Sequence, residues 1–291
     1  MSCFRKVVWL FAVVLLSSSL LLTACGGGGG SKIAFISSRD GHSEVYLMNS
    51  DGSAQTKLTD TNQRNATPAW SPDRKQIAFA TGGDGYEDIY LIDANGGTPT
   101  RLTDTDGGNR HPSWSPDGKK IVFESKRTGG RWQIYVMDAN GTNQTLLDQS
   151  SASDEHPDWS PDGKNIVFAA NNPPFDDDNY DIYVMDSEGK KRTRLTDNSA
   201  TDWYPAWSPD GKSIAFTTKR DKTWQVYVMD ASGESESWTR LADSAEDGPA
   251  WSPDGKRIAY EYSSEIYVIN NDGTNQVRIT DTTGRNMSPA W

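Results

Sequence analysis

The sequence predicts an all-β fold, a six-bladed β-propeller of four-stranded antiparallel blades, closed by pairing the C-terminal strand with the N-terminal unit. Three observations carry that prediction. A Pro-x-Trp unit recurs at Trp70, Trp114, Trp159, Trp207, Trp251 and Trp291, with spacings of 44, 45, 48, 44 and 40 residues. That is the period of a propeller blade. Segments such as "KIVF" and "IYVM" are apolar at both alternating positions, so both faces of each strand are expected to be buried. Finally, the repeat is split: the first unit lacks a Pro-x-Trp strand, and "NMSPAW" supplies one at the other end.

Each blade has four elements, here named A to D. Strand A carries Pro-x-Trp, and strand B begins at Ile33, Ile77, Ile121, Ile166, Ile214 and Ile258. Strand C centres on Tyr46, Tyr90, Tyr135, Tyr183, Tyr227 and Tyr267, and a short strand D follows in phrases such as "TRLTD". A tight "SPDG" turn joins A to B, with Pro at its second position and Gly where positive φ is needed. Hairpin turns ending in Gly52, Gly96, Gly141, Gly189, Gly233 and Gly273 join C to D. "SPDR" places Arg74 where the other turns have Gly, and local distortion is expected there. Closing the ring removes the two sheet edges that would otherwise be exposed.

The start of the chain reads as an export segment. Residues 1–24 hold a basic region (Arg5, Lys6), an apolar run from Val7 to Leu22, and small residues leading to Cys25. "LTAC" resembles the bacterial lipobox, which implies cleavage before Cys25 and lipidation of that residue. Residues 25–31 then form a Gly-rich tether, and 32–291 the propeller. By family rules, glycine after the cysteine implies outer-membrane sorting, facing the periplasm. The other cysteine, Cys3, lies within the export segment, so no disulfide is expected and the core alone must hold the fold.

Charge narrows the partners. The chain has 40 acidic and 29 basic residues, a net charge of −11. Without Arg5 and Lys6 it has 27 basic residues and a charge of −13. Such a chain repels phosphate backbones, which argues against a nucleic-acid partner.

The phrase P-x-W-S-P-D-G-K-x-I-A/V-F, followed by I/V-Y-V-M-D-x-x-G and R-L-T-D, resembles the repeat of TolB-type, WD-repeat-like propellers. The resemblance spans the segment after the tether. TolB is periplasmic and works through protein contacts in the envelope, but it carries an N-terminal α/β domain. Only the glycine tether precedes the first strand here. The resemblance therefore implies a lipid-anchored, monomeric propeller at the cell envelope that binds a protein or glycan.

Few motifs suggest catalysis. There is no Gly-x-Ser-x-Gly elbow, phosphate-binding loop or paired zinc-ligand spacing, so neither a metal nor a cofactor is expected. The turn sequences lack the glutamate that completes an EF-hand loop. "FDDDNYD", with Asp176 to Asp178, offers carboxylates for calcium, although a solvated acidic loop explains it as well.

The B–C and D–A connections share one end of the ring and vary between repeats, and variable loops on a rigid ring carry specificity. Just before the strand A prolines lie Arg110–His111, Glu155–His156 and Trp203–Tyr204, on neighbouring blades near the channel mouth. Such a mixture suits a peptide or sugar site. As D–A loop residues, Trp203 and Tyr204 are expected to act as apolar anchors that add little to core stability, with Arg110 and Glu155 setting orientation. Trp132 and Trp224, at the start of strand C, are expected to pack between blades. All three histidines (His42, His111 and His156) fall on this face. Oligogalacturonate lyase, which resembles this repeat family, holds a metal with histidines above its propeller, so a metal-dependent polysaccharide lyase is the alternative. A purely structural envelope protein is a third reading.

Overall fold

The structure, a computed structural model, describes residues 31–83, 85–171, 179–233 and 238–291. Blade 1 contains β1 (Lys32–Ser37), β2 (Glu44–Asn49) and β3 (Thr56–Lys57). Blade 2 contains β4 (Arg64–Trp70), β5 (Gln76–Gly82), β6 (Asp88–Asp93) and β7 (Thr100–Arg101). Blade 3 contains β8 (Asn109–Trp114), β9 (Lys120–Ser125), β10 (Gln133–Asp138) and β11 (Thr145–Leu146). Blade 4 contains β12 (Ser153–Trp159), β13 (Asn165–Asn171), β14 (Asp181–Asp186) and β15 (Thr193–Arg194). Blade 5 contains β16 (Asp202–Trp207), β17 (Ser213–Thr218), β18 (Gln225–Asp230) and β19 (Thr239–Ala242). Blade 6 contains β20 (Ala250–Trp251), β21 (Arg257–Tyr262), β22 (Glu265–Asn270) and β23 (Val277–Arg278).

The last strand, β24 (Asn286–Ala290), returns to blade 1, whose order is β24-β1-β2-β3. Ala34 pairs with Ala290, Ile36 with Met287 and Ser37 with Asn286. Beyond it, Trp291 Nε1 donates to Ser31 Oγ at 2.6 Å. The split repeat thus closes the ring as expected.

Apolar strands bury both faces because each sheet is sandwiched between two others. One face of blade 2 sets Ile77, Phe79 and Ile92 against Ala34, Ile36 and Leu47 of blade 1. Its other face sets Ala78, Ala80 and Ile89 against Trp114, Phe123 and Tyr135 of blade 3. Within a blade, the strand B and C aromatics are register partners, as in Phe123 with Tyr135 at 5.9 Å between ring centres.

The turns obey the repeat, including the one expected to break it. Arg74 adopts φ of 62°, against 69°, 71°, 71° and 68° for Gly118, Gly163, Gly211 and Gly255. Its N–H donates to the Ser71 carbonyl at 2.9 Å, as Gly118 does to Ser115 at 2.8 Å. The expected distortion is absent. The side chain holds the left-handed backbone by lying over the Trp70 ring and donating to the Lys32 carbonyl.

Candidate functional site at the channel mouth

The six strand A segments line a central cavity of about 480 Å³. Each brings its proline to the wall, and all but blade 4 bring the tryptophan as well. The position between them is Ala69, Ser113, Asp158, Ala206, Ala250 or Ala290, so Asp158 is the only charged residue at that level. Its carboxylate accepts from Ser113 Oγ and the Trp207 N–H, both at 2.8 Å. Burial pushes the Asp158 carboxyl up to about 6.

A backbone irregularity shapes the mouth. In blades 2 to 5 the A–B ladder shifts register across the pre-proline residue and the proline, between Arg110 and Ser113 in blade 3 for example. Thr67, His111, His156, Tyr204 and Ser288 all hold positive φ there, between 47° and 54°. Left-handed backbone is rare outside glycine, and such bulges re-aim side chains beside functional sites. Here the bulge turns His111, His156 and Tyr204 into the channel wall.

The six anticipated residues come together, but within strands β8, β12 and β16 rather than in D–A loops. Nor are they solvated. Glu155 and His156 are buried, and Arg110, His111, Trp203 and Tyr204 are half-buried. Arg110 Nε donates to Glu124 Oε1 at 2.5 Å, and Nη2 to Glu155 Oε2 at 3.4 Å. The guanidinium lies 3.9 Å above the Trp132 ring. His111 and His156 stand edge to face, 4.1 Å apart, and Tyr204 packs 4.0 Å from His156. Trp203 stacks on Tyr180 at 5.1 Å and touches Trp224 at 6.0 Å. It also joins the apolar cluster between blades 4 and 5. That corrects the expectation for Trp203 as a free anchor, because removing it would cost core packing.

The Trp132 and Trp224 rings contact Arg110 and Trp203 of their own blades, and it is their carbonyls that reach onward, accepting from the Asp154 and Ala245 N–H groups. His42 is exposed in the β1–β2 loop and does not join the other two histidines. The three-histidine arrangement therefore does not form. Cys25 and the Asp176–Asp178 run lie outside the described residues.

Glu124, on β9, is the centre that sequence reading missed. It is 0% exposed, yet it faces Arg110, and its Oε2 accepts the His156 N–H at 2.6 Å. The signal was present. Strand B of blades 1, 2, 4 and 5 carries Ile36, Ala80, Ala169 or Thr217 at this place, whereas "KIVFES" and "RIAYEY" carry Glu124 and Glu261. Burial would raise the Glu124 carboxyl, but charge on His111 and the permanent charge of Arg110 outweigh it. Glu124 stays ionised, well below the usual carboxylate range. Glu155 moves the other way, raised by burial and then by Glu124, while Tyr180 Oη donates to it at 2.6 Å. Burial, then charge on His111, holds His156 well below the histidine range, so its imidazole is neutral.

The model of the TolB beta propeller domain matches residues 11–174 and 156–264, most of the chain. The chain belongs to the TolB β-propeller family. Its fold superposes on TolB from Acinetobacter baumannii with a TM-score of 0.78 and 25% identity. That match covers 89% of this chain and 66% of the A. baumannii protein, just under two thirds of its length. A putative TolB from Agrobacterium tumefaciens gives 0.71 and 25%, covering 90% of this chain and 94% of that one. An oligogalacturonate lyase in complex with manganese gives 0.58 at 17% identity, covering 86% and 73%, a likeness of fold alone. Comparison with curated proteins yields no match.

Proposed function

We propose that this chain is a non-catalytic docking propeller that binds a protein partner at the bacterial cell envelope through its variable face, held there by lipid on Cys25. The observation that carries the reading is the asymmetry of the two ends. At one end, buried charge and stacked aromatics from blades 3 to 5 are turned toward an open channel mouth. On that same end lie Tyr86, in the β5–β6 loop and 75% exposed, and Tyr262, at the tip of β21 and 38% exposed. Exposed tyrosines around a preorganised polar centre are what a protein interface uses as anchors. At the other end the repeated turns offer solvated charges that neutralise one another within the turn, such as Lys119 with Asp117 and Lys164 with Asp162. Kinship with TolB supports the envelope setting.

The lyase reading draws support only from a fold shared with many propellers, and His42 stands apart from the histidine pair.

A photocrosslinking residue placed at Tyr86 or at Lys119 tests the docking face in intact cells. Adducts are expected from Tyr86 and not from Lys119; the reverse pattern would refute the choice of face. Cys25→Ala should move the protein from membranes to the soluble fraction, and its retention after a high-salt wash would refute the anchor.

A further inference from the structure

Beside Arg110, the channel mouth holds three groups that no docking role requires in this form. His111, Glu124 and His156 each offer one ligand atom, and those atoms all lie within 4.8 Å of one another. They come from three strands on two blades, β8, β9 and β12, so no spacing in the sequence announces them. We infer that His111, Glu124 and His156 form a site for a divalent transition-metal ion of the zinc type at the channel mouth.

Four features point to this class of ligand. His156 is 5% exposed, and neither of its ring nitrogens has a hydrogen-bond partner among the described residues. A neutral imidazole carries one N–H and one lone pair, and burying both unpaired is unfavourable unless something occupies the site. Among the described residues His111 Nδ1 is also without an aligned partner, although it lies 3.1 Å from Glu124 Oε1. One nitrogen from each imidazole thus lies close to the same carboxylate.

The carboxylate, moreover, is already held. Arg110 Nε fixes Oε1, and the His156 N–H fixes Oε2. Outer hydrogen bonds of this kind orient metal ligands and tune their affinity. Each oxygen keeps a lone pair free. The charge is also favourable: Arg110 faces two carboxylates, Glu124 and Glu155, and Glu155 Oε2 lies 3.9 Å from His156 Nε2.

Two imidazoles and one carboxylate suit zinc and its neighbours, whereas calcium and magnesium prefer all-oxygen shells. Both histidines line the channel, so a further coordination position would open into the cavity, as in sites that leave room for an exogenous ligand.

The test needs no partner protein, so it can fail or succeed independently of the docking proposal. The purified chain is stripped with chelator, then titrated with Zn²⁺ by calorimetry and with Co²⁺ by visible absorption. One ion per chain is expected, with cobalt d–d bands of a low-symmetry nitrogen–oxygen site and a higher melting temperature with zinc. His111→Ala and His156→Asn should each weaken zinc binding by about 100-fold or more, the upper end of what outer-shell changes alone cause. His42→Ala should leave it unchanged. If His156→Asn folds poorly, His111→Ala decides, since that side chain is partly exposed and bears less packing. No binding by the parent chain, or undiminished affinity in His111→Ala, would overturn the assignment. So would equal loss in His42→Ala.

Discussion

The two ends of the ring treat their carboxylates in opposite ways. At the turn end, Asp73, Asp117, Asp162, Asp210 and Asp254 each accept from the serine two residues earlier, at 2.6–2.8 Å. Those serine contacts lower all five carboxyl pKa values. At the mouth end, among the described residues, Glu124 alone of the shifted buried acids is held low, by the cations facing it. Burial raises Asp154, Glu155, Asp181, Asp202 and Glu261, with Asp181 pushed up to about 6. The turns satisfy their polar groups locally and within water's reach. The mouth satisfies its groups across strands and across blades, out of water. A repeat unit can therefore be copied at the turn end without reference to its neighbours, whereas at the mouth each side chain is defined by the next blade.

That contrast presupposes a closed ring, and the largest effect should come from opening it. Deleting Pro289 to Trp291 removes a tryptophan that packs against blades 1 and 6 and unpairs Ala34 of β1, leaving only the Met287 and Asn286 pairs to hold the seam. Loss of the tryptophan alone should cost roughly 3–5 kcal/mol. Thermal melting should show a large fall or aggregation. A truncated chain melting like the parent would mean that Trp291 and the Ala34–Ala290 pair contribute nothing to ring closure.

The next effect separates the ends directly. Glu124→Ala removes the nearer partner of Arg110 and the acceptor of the His156 N–H, leaving a partly buried cation with only its longer contact to Glu155, at a cost of roughly 3 kcal/mol. Asp117→Ala deletes a solvated turn acid, and its loss in urea denaturation should be far smaller. Equal losses would mean that the mouth carries no more cross-blade energy than the turns do.

How far the sequence revealed each end follows from the same physics. Blade number, strand order and ring closure were legible because they depend on period and alternation, which every repeat restates. The pre-proline residues stood out because they vary where the repeat is otherwise constant. Their setting did not. A non-glycine residue held at positive φ before proline runs against local preference, so the bulge that places His111 and His156 inside a strand has no local signature. Glu124 hid for a different reason. It sits in a strand read for its apolar face, and only alignment of the six strands B sets it apart. Arg74 went the other way: a rule about glycine overstated the cost, because stacking on Trp70 and a backbone acceptor support the same turn.

The smallest effect concerns Glu261, the blade 6 counterpart of Glu124. It is 0% exposed, and burial, with Asp247 nearby, pushes its carboxyl up to about 7, although Arg285 Nε donates to it at 3.0 Å. Its Oε2 has no hydrogen-bond partner among the described residues. From its ordinary value of 4.5 up to about 7, the folded chain keeps a proton that the unfolded chain has released. Stability therefore falls as pH rises through that window. Below it both states are protonated and there is no penalty; above it both are ionised and the whole penalty is present. Glutamine mimics the protonated acid at all pH values. Glu261→Gln should thus melt like the parent near pH 4 and be more stable by about 1–3 kcal/mol near pH 8. Arg285 is half-exposed, so water can replace the ion pair it loses. A variant less stable than the parent near pH 8 would mean that Arg285 outweighs burial at Glu261, and that blade 6 stabilises its buried acid as blade 3 does.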